Sequence, residues 1–110
     1  GCSMAESFKV AIAGLGTVGT GVVRLLQKHR AMIAARAGRP VEIVAVSARR
    51  RRKSRDINLA RYEWVDDVLG LADLPQVDAV VELIGGEEGV ALKLLEKSLK
   101  RGVSVVTANK

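Results

Sequence analysis

The stretch Gly14-Leu15-Gly16-Thr17-Val18-Gly19 decides how this sequence is interpreted, because it matches the pattern G-x-G-x-x-G. It follows the apolar run Phe8–Ala13 (FKVAIA), which predicts a strand, and it precedes apolar residues at helical spacing. In this setting Gly14 makes a tight turn, Gly16 lets a pyrophosphate approach the backbone, and Gly19 lets helix and strand pack closely. The alternative is an ordinary strand–helix turn with incidental glycines. The strand before the pattern and the helix after it favour a dinucleotide site.

The rest of the chain continues this alternation of strands and helices. Helices are predicted over residues 17 to about 35, from Asp66 or Asp67 to about residue 72, and over 87–101. Buried strands are predicted at 41–46, 79–84 and 103–107, with a short edge strand at 61–64. Such alternation predicts an α/β fold, a Rossmann-type doubly wound parallel sheet in the order 3-2-1-4-5, as a truncated single domain.

The two long helices are each expected to turn one apolar face to the sheet. His29 lies on the first of these faces and is expected to be a partly buried structural residue rather than a metal ligand, since no second His or Cys is available. The predicted faces consist of Val18, Val22, Leu25, Leu26, Met32 and Ile33 in the first helix, and of Ala91, Leu92, Leu94, Leu95 and Leu99 in the second.

Composition narrows the class of protein. A chain of 110 residues with 48% apolar residues has room for one modest core, and with three aromatic residues that core must be aliphatic. Its one cysteine, Cys2, precedes Met4, so residues 1–3 are expected to be a cloning remnant and 1–7 a flexible N-terminus before a domain at 8–110. No disulfide, metal site, signal peptide or membrane span is expected, and the expected location is the cytoplasm.

The basic stretch SARRRRKSR, residues 47–55, accounts for the net charge of +6. Of the eighteen Lys and Arg residues, six lie within it, which leaves twelve against twelve acidic residues. In NAD-specific folds an acid at the end of the second strand binds the ribose 2′-hydroxyl, but here Arg49 and Arg50 follow that strand. A guanidinium suits the 2′-phosphate of NADP, so NADP is the expected cofactor, with NAD possible. Residues 51–55 are interpreted as a solvated loop, since nucleic-acid binding would favour interleaved aromatic residues.

Three motifs together carry a family resemblance. GLGTVGTGVV at residues 14–23, VVELIGG at 80–86 and VVTANK at 105–110 resemble, in order and spacing, the nucleotide-binding domain of homoserine dehydrogenase. The resemblance covers residues 8–110. It implies the cofactor domain of an oxidoreductase that interconverts L-homoserine and L-aspartate 4-semialdehyde with NAD(P), on the route to threonine and methionine. It also implies a small-molecule substrate and a homo-oligomer for the full-length enzyme.

The resemblance also assigns roles by position. Thr17 and Val18 would lend backbone amides to the pyrophosphate, and Gly85 and Gly86 would let the cofactor cross the sheet edge. The final Thr107, Ala108, Asn109 and Lys110 resemble the family's Thr-Ala-Asn-Lys segment, whose lysine faces the nicotinamide and the substrate. The family's catalytic aspartate and partner lysine lie in a region that follows this segment. The chain alone is therefore expected to be inactive, with Lys110 its one candidate catalytic residue.

Two other interpretations remain open at this point. One is the same fold from another amino-acid reductase, of the aspartate dehydrogenase or dihydrodipicolinate reductase type. The other is a non-enzymatic domain that senses nucleotides or binds nucleic acid, which would bind RNA with an affinity that falls steeply with salt.

Overall fold

The computed structural model describes residues 7–48, 59–84 and 88–107, the last range without the side chain of Glu88. The elements in chain order are strand β1 (Phe8–Ala13), helices α1 (Thr17–Lys28) and α2 (Arg30–Ala37), strand β2 (Val41–Ser47), strand β3 (Glu63–Trp64), a 3-10 helix (Val68–Asp73), strand β4 (Ala79–Glu82), helix α3 (Glu88–Lys100) and strand β5 (Ser104–Thr107). Of the predicted flexible N-terminus, residues 1–6 lie outside the described part. No helix in the described ranges is long and apolar enough to cross a membrane.

The five strands form one parallel sheet in the order β3-β2-β1-β4-β5, which confirms the predicted order. Parallel strands all end at the same edge of a sheet. Here that carboxyl edge carries a row of register partners that runs across four strands, namely Ser47, Ala13, Glu82 and Thr107. The change of direction from β1 to β4 creates a switch point at this edge, and ligands of open α/β sheets bind in the crevice outside such a point.

The core has one apolar layer on each face of the sheet. Alternate residues of a strand point to opposite faces, so Ala11 and Val80 pack with Leu94 of α3, whereas Val10 and Ile12 pack with Val23 of α1. Helices α1 and α3 therefore cover opposite faces, as a doubly wound fold requires. Both layers are aliphatic, as the composition predicts.

The prediction of one continuous helix from residue 17 to about residue 35 is wrong, because the structure has two helices there. The predicted segment is interrupted at His29, whose backbone (φ −114°, ψ 33°) leaves the helical region. Two hydrogen bonds carry the chain through the break: His29 N–H donates to the Leu25 carbonyl, and Ile33 N–H donates to the His29 carbonyl, each over 3.0 Å. Helix α2 ends at Ala37, and its C-cap is Gly38, which is in the left-handed region at φ 83°. His29 is partly buried, as expected.

The predicted apolar faces are only half right. Val18, Leu25 and Met32 are exposed in α1 and α2, and Leu92 and Leu99 are exposed in α3. The reason is geometric, since a helix on a sheet contacts it along a narrow stripe. The buried residues of that stripe are Gly19 and Val23 in α1 and include Ala91 and Leu94 in α3.

Three element boundaries also differ from the prediction. Strand β4 ends at Glu82 rather than at residue 84, and the Ile84 amide donates to the Glu82 side chain. The edge strand predicted at 61–64 is reduced to Glu63–Trp64. The short helix is of the 3-10 type, and its N-cap is Asp67, whose carboxylate accepts from the Leu69 amide.

Candidate functional site

Gly14 makes the turn that leaves β1, and its position admits only glycine. Its φ of +100° lies where side chains with a Cβ are strained. An added Cβ would also lie 2.9 Å from the carbonyl carbon and oxygen of Leu83. The turn is held from the other side by a 2.8 Å hydrogen bond that the Gly14 amide donates to the Ser47 carbonyl. Gly14 therefore lies between the end of β2 and the residue that follows β4, in close contact with both.

Gly19 brings the first turn of α1 against this loop. It is buried, and a Cβ added to it would overlap the Gly14 carbonyl oxygen. The Thr20 side chain braces the same contact, since its hydroxyl donates to the Leu15 carbonyl over 3.1 Å. The close helix–strand packing expected of the third glycine is present in the structure.

Gly16 differs from the other two glycines because it faces open space. It is the N-cap of α1 and is exposed, and a Cβ added to it would meet no atom of the described residues within 4 Å. No side chain caps the helix, and its first turn contains no acid. The first amides of a helix have no acceptor within it, so those of Thr17 and Val18 can bind an anion beside Gly16. The loop fits the pyrophosphate of a dinucleotide.

The end of β2 lies next to this loop and contains no acid. Ser47 is buried, and its carbonyl is used by the Gly14 amide. Ala48 is partly buried and is the last described residue of this segment. Arg49 and Arg50, the predicted ligands of a 2′-phosphate, lie outside the described residues.

The ends of β4 and β5 form the other side of the site. Leu83 N–H donates to the Ala13 carbonyl over 2.8 Å, so the chain leaving β4 stays beside β1 and the glycine loop. Thr107 is exposed at the end of β5, where it is the register partner of Glu82. Of the other residues that the sequence assigns here, Gly85, Gly86, Ala108, Asn109 and Lys110 lie outside the described part of the chain.

Glu82 is a site residue that the sequence motifs did not single out. Its residue surface is 3% exposed, yet it carries a carboxylate. One oxygen, Oε2, accepts from the Ile84 amide, and the other, Oε1, accepts from the Thr107 hydroxyl, both over 2.6 Å. The sequence offered one signal for this residue, an acid within the otherwise apolar predicted strand VVELI. A buried acid requires hydrogen-bond partners, so its presence there indicates a specific role.

A cavity of about 330 Å³ lies away from this site. It is lined by the end of α1, the start of α2, the start of β2 and the residues before β3. The Gln27 side-chain amide donates to the Tyr62 hydroxyl over 2.7 Å at its wall. Because the carboxyl edge of the sheet is at the opposite ends of these strands, the cavity is separate from the glycine loop.

Comparison with known proteins decides the family. A family model described as "Homoserine dehydrogenase, NAD binding domain" matches residues 14–110. The chain belongs to this family. The homoserine dehydrogenase of Methylobacillus glycogenes is 41% identical over 105 residues, which are 96% of this chain and 25% of the relative. The homoserine dehydrogenase of Pseudomonas aeruginosa is 42% identical over 102 residues, 93% of this chain and 23% of the relative.

Solved homoserine dehydrogenase structures have the same fold. The enzyme from Thiobacillus denitrificans superposes with a TM-score of 0.82 at 35% identity, over 94% of this chain and 24% of that one. The enzyme from S. aureus at pH 7.0 gives a TM-score of 0.83 at 32% identity, over 96% of this chain and 26% of that one. The chain thus spans about a quarter of the length of the homoserine dehydrogenases it matches. The resemblance and the fold class are confirmed, and the two alternative interpretations are not favoured.

Proposed function

We propose that this homoserine dehydrogenase domain binds NADP, and NAD more weakly, across the carboxyl edge of its sheet. The observation that carries the proposal is the contrast among three glycines. Gly14 and Gly19 are closed in by backbone atoms, whereas Gly16 faces open space beside the free amides of a helix. A turn that needed glycine for shape alone would have no reason to keep Gly16 without a side chain.

The residues at this edge would each hold one part of the cofactor. Thr17 and Val18 would donate their amides to the pyrophosphate, and Gly16 would allow its approach. Gly85 and Gly86 would let the dinucleotide cross from β1 to β4, as the family pattern implies. When bound, the nicotinamide ring would supply the carbon that accepts or returns a hydride.

Arg49, with Arg50 beside it, is proposed to select NADP. Support comes from the end of β2, where Ser47 and Ala48 leave no acid for a ribose 2′-hydroxyl. We predict that NADPH binds more tightly than NADH, and that Arg49→Glu reverses this preference. Loss of charge-assisted bonds to the phosphate should weaken NADPH binding by roughly ten-fold or more. Calorimetric titration with both cofactors measures this, and equal affinities in the unsubstituted protein would contradict it.

We propose further that the domain serves a full-length enzyme acting on L-homoserine or L-aspartate 4-semialdehyde. Hydride transfer needs the two reacting carbons held about 3–3.5 Å apart in a site closed to water. Lys110, at the end of the Thr-Ala-Asn-Lys segment with Thr107 and Asn109, would bind or polarise the substrate oxygen. The remaining catalytic groups and the substrate-binding region would belong to the rest of the enzyme. We also propose a cytoplasmic homo-oligomer, with no nucleic-acid partner for the basic stretch.

A paired assay tests the role of Lys110. The 110-residue chain should form no NADPH from homoserine at saturating NADP, because the groups that would close the site are proposed to belong to the rest of the enzyme. In the full-length enzyme, Lys110→Ala should lower kcat at least ten-fold while NADPH affinity stays within a few-fold, since the loss falls on the transition state. Turnover by the chain alone would mean that the catalytic groups are misplaced. An unchanged kcat in the variant would make Lys110 an ordinary lysine.

A further inference from the structure

Glu82 joins the ends of two strands at the edge where the cofactor is proposed to bind. Its carboxylate is almost completely buried and accepts one hydrogen bond on each oxygen. One donor is the Ile84 amide, immediately before the Gly85-Gly86 pair, and the other is the hydroxyl of Thr107 on β5. The bond from the Thr107 hydroxyl measures 2.6 Å, in the range of O–H bonds to a carboxylate.

The bond to Glu82 determines the direction in which the Thr107 hydroxyl points its proton. A threonine hydroxyl has one proton to donate and two lone pairs that accept. A carboxylate only accepts, so the proton of Thr107 is committed to Glu82. Toward any other group, the Thr107 oxygen acts solely as an acceptor. Thr107 is an exposed residue at the carboxyl edge of the sheet.

The position of β5 indicates which half of the cofactor this acceptor would meet. In the order β3-β2-β1-β4-β5, the glycine loop follows β1 and the adenosine half extends over β2. Strands β4 and β5 lie on the other side of the switch point, where the nicotinamide half would lie. That half carries two kinds of donor, the ribose hydroxyls and the carboxamide N–H.

We propose that Glu82 is a positioning residue that holds the Thr107 hydroxyl as an acceptor for a donor on the nicotinamide half of the cofactor. The inference rests on the proposed cofactor binding and goes beyond it, because it assigns a direction to one hydrogen bond. It also gives the buried charge a function that an apolar residue at position 82 would not supply.

Glu82→Gln provides a test that keeps the shape of the side chain and reverses the polarity of the bond. The Ile84 amide can only donate, so the glutamine oxygen must face it, and the glutamine NH₂ then faces Thr107. The Thr107 oxygen now accepts from the glutamine, and its own proton is released toward the cofactor, where it opposes another donor. Thr107→Val removes the hydroxyl at nearly constant shape, and Thr107→Ser keeps it.

The experiment titrates each variant in the full-length protein with NADP, ADP-ribose and ADP, and records its thermal unfolding. Glu82→Gln and Thr107→Val should each weaken NADP binding about ten-fold, whereas ADP binding should not change. Thr107→Ser should bind like the unsubstituted protein. The double variant should be no weaker than Thr107→Val alone, because the two residues act through one hydroxyl. A parallel loss of ADP-ribose affinity would identify the ribose hydroxyl as the donor, and a loss confined to NADP would identify the carboxamide.

Unchanged NADP affinity in Glu82→Gln, or an equal loss for NADP and ADP, would overturn the inference and leave Glu82 a structural tie. Additive losses in the double variant would overturn it as well. If Glu82→Gln does not fold, the Thr107 pair decides, because equal NADP affinities of the Val and Ser variants would contradict the role of the hydroxyl. If the unsubstituted protein binds none of the three ligands, the proposed cofactor binding itself is wrong.

Discussion

At the scale of single residues, the glycine loop shows how one motif combines three different physical demands. Gly14 is required by its backbone angle, Gly19 by a contact with backbone, and Gly16 by neither. The fold requires glycine at positions 14 and 19, so substitutions there should lower the stability of the domain. At position 16 the proposed ligand requires glycine, so a substitution there should weaken cofactor binding. Stability and affinity measurements can therefore separate the three positions.

We predict that Gly19→Ala destabilises the domain although alanine is the better helix former. The added methyl would overlap the Gly14 carbonyl, and such overpacking typically costs about 1–3 kcal/mol. The matched control is Gly21→Ala in the same helix, where no described atom lies within 4 Å of the added Cβ. That change should stabilise the domain by up to about 1 kcal/mol. Urea unfolding of both variants measures the contrast, and equal stabilities would refute the close contact.

The residues of the site differ in how far the sequence alone predicts them. The glycines could be assigned because their pattern is local, with a strand before it and a helix after it. The bond between Glu82 and Thr107 joins residues 25 positions apart. It depends on the register between β4 and β5, which no local pattern carries. The acid could be recognised as unusual within its strand, but its partner could not be named.

At the scale of elements, the strands were more predictable than the helix surfaces. Every strand here is short, and its existence and order followed from the alternation of strand and helix patterns along the chain. The apolar helical residues Leu25, Leu92 and Leu99 fit a helical period, yet they are exposed. Helical spacing predicts which residues lie on the same side of a helix. How wide a strip of that side the sheet covers depends on the packing of the helix against the sheet. The interruption between α1 and α2 at His29 was likewise not predictable, because no proline or glycine lies at that position.

The contact between the 3-10 helix and α3 should weaken in acid. A hydrogen bond from Lys97 to Asp73, 2.7 Å long, holds the pKa of this carboxyl below its ordinary value of 3.8, and Arg101 at 3.5 Å adds to the effect. Because the pKa of Asp73 is lower in the folded state than in the unfolded state, its ionised carboxyl stabilises the fold at any pH above the unfolded-state pKa. That stabilisation disappears as the pH falls through the folded-state pKa. Because all three side chains are well exposed, the contribution is small and sensitive to salt.

Asp73→Asn tests this contact. We predict a slightly lower urea midpoint than the unsubstituted protein at pH 7, with a difference that shrinks as the pH falls below about 3.8 and as salt is added. Glu96→Gln, which removes an exposed acid of α3 outside this contact, serves as the control for net charge. A difference that stays constant from pH 7 to pH 3 would contradict the ion pair.

At the scale of the whole molecule, the fold and the proposed site follow from the same topology. The strand order places the glycine loop, the end of β2 and the ends of β4 and β5 around one switch point. Family motifs predicted this arrangement because each motif lies at the end of a strand. The role of residues 51–55 was not predictable, since a run of like charges has no periodicity that relates it to the sheet.

The most direct test of the proposed cofactor site is a calorimetric titration of NADPH into the protein and into Gly16→Val, with thermal unfolding of both. A Cβ at this N-cap meets no described atom within 4 Å, so the fold should lose only about 1 kcal/mol. The valine side chain would occupy the space proposed for the pyrophosphate, so NADPH binding should disappear, while Gly21→Ala should bind normally. If Gly16→Val binds NADPH as tightly as the unsubstituted protein, the glycine loop is not the cofactor site.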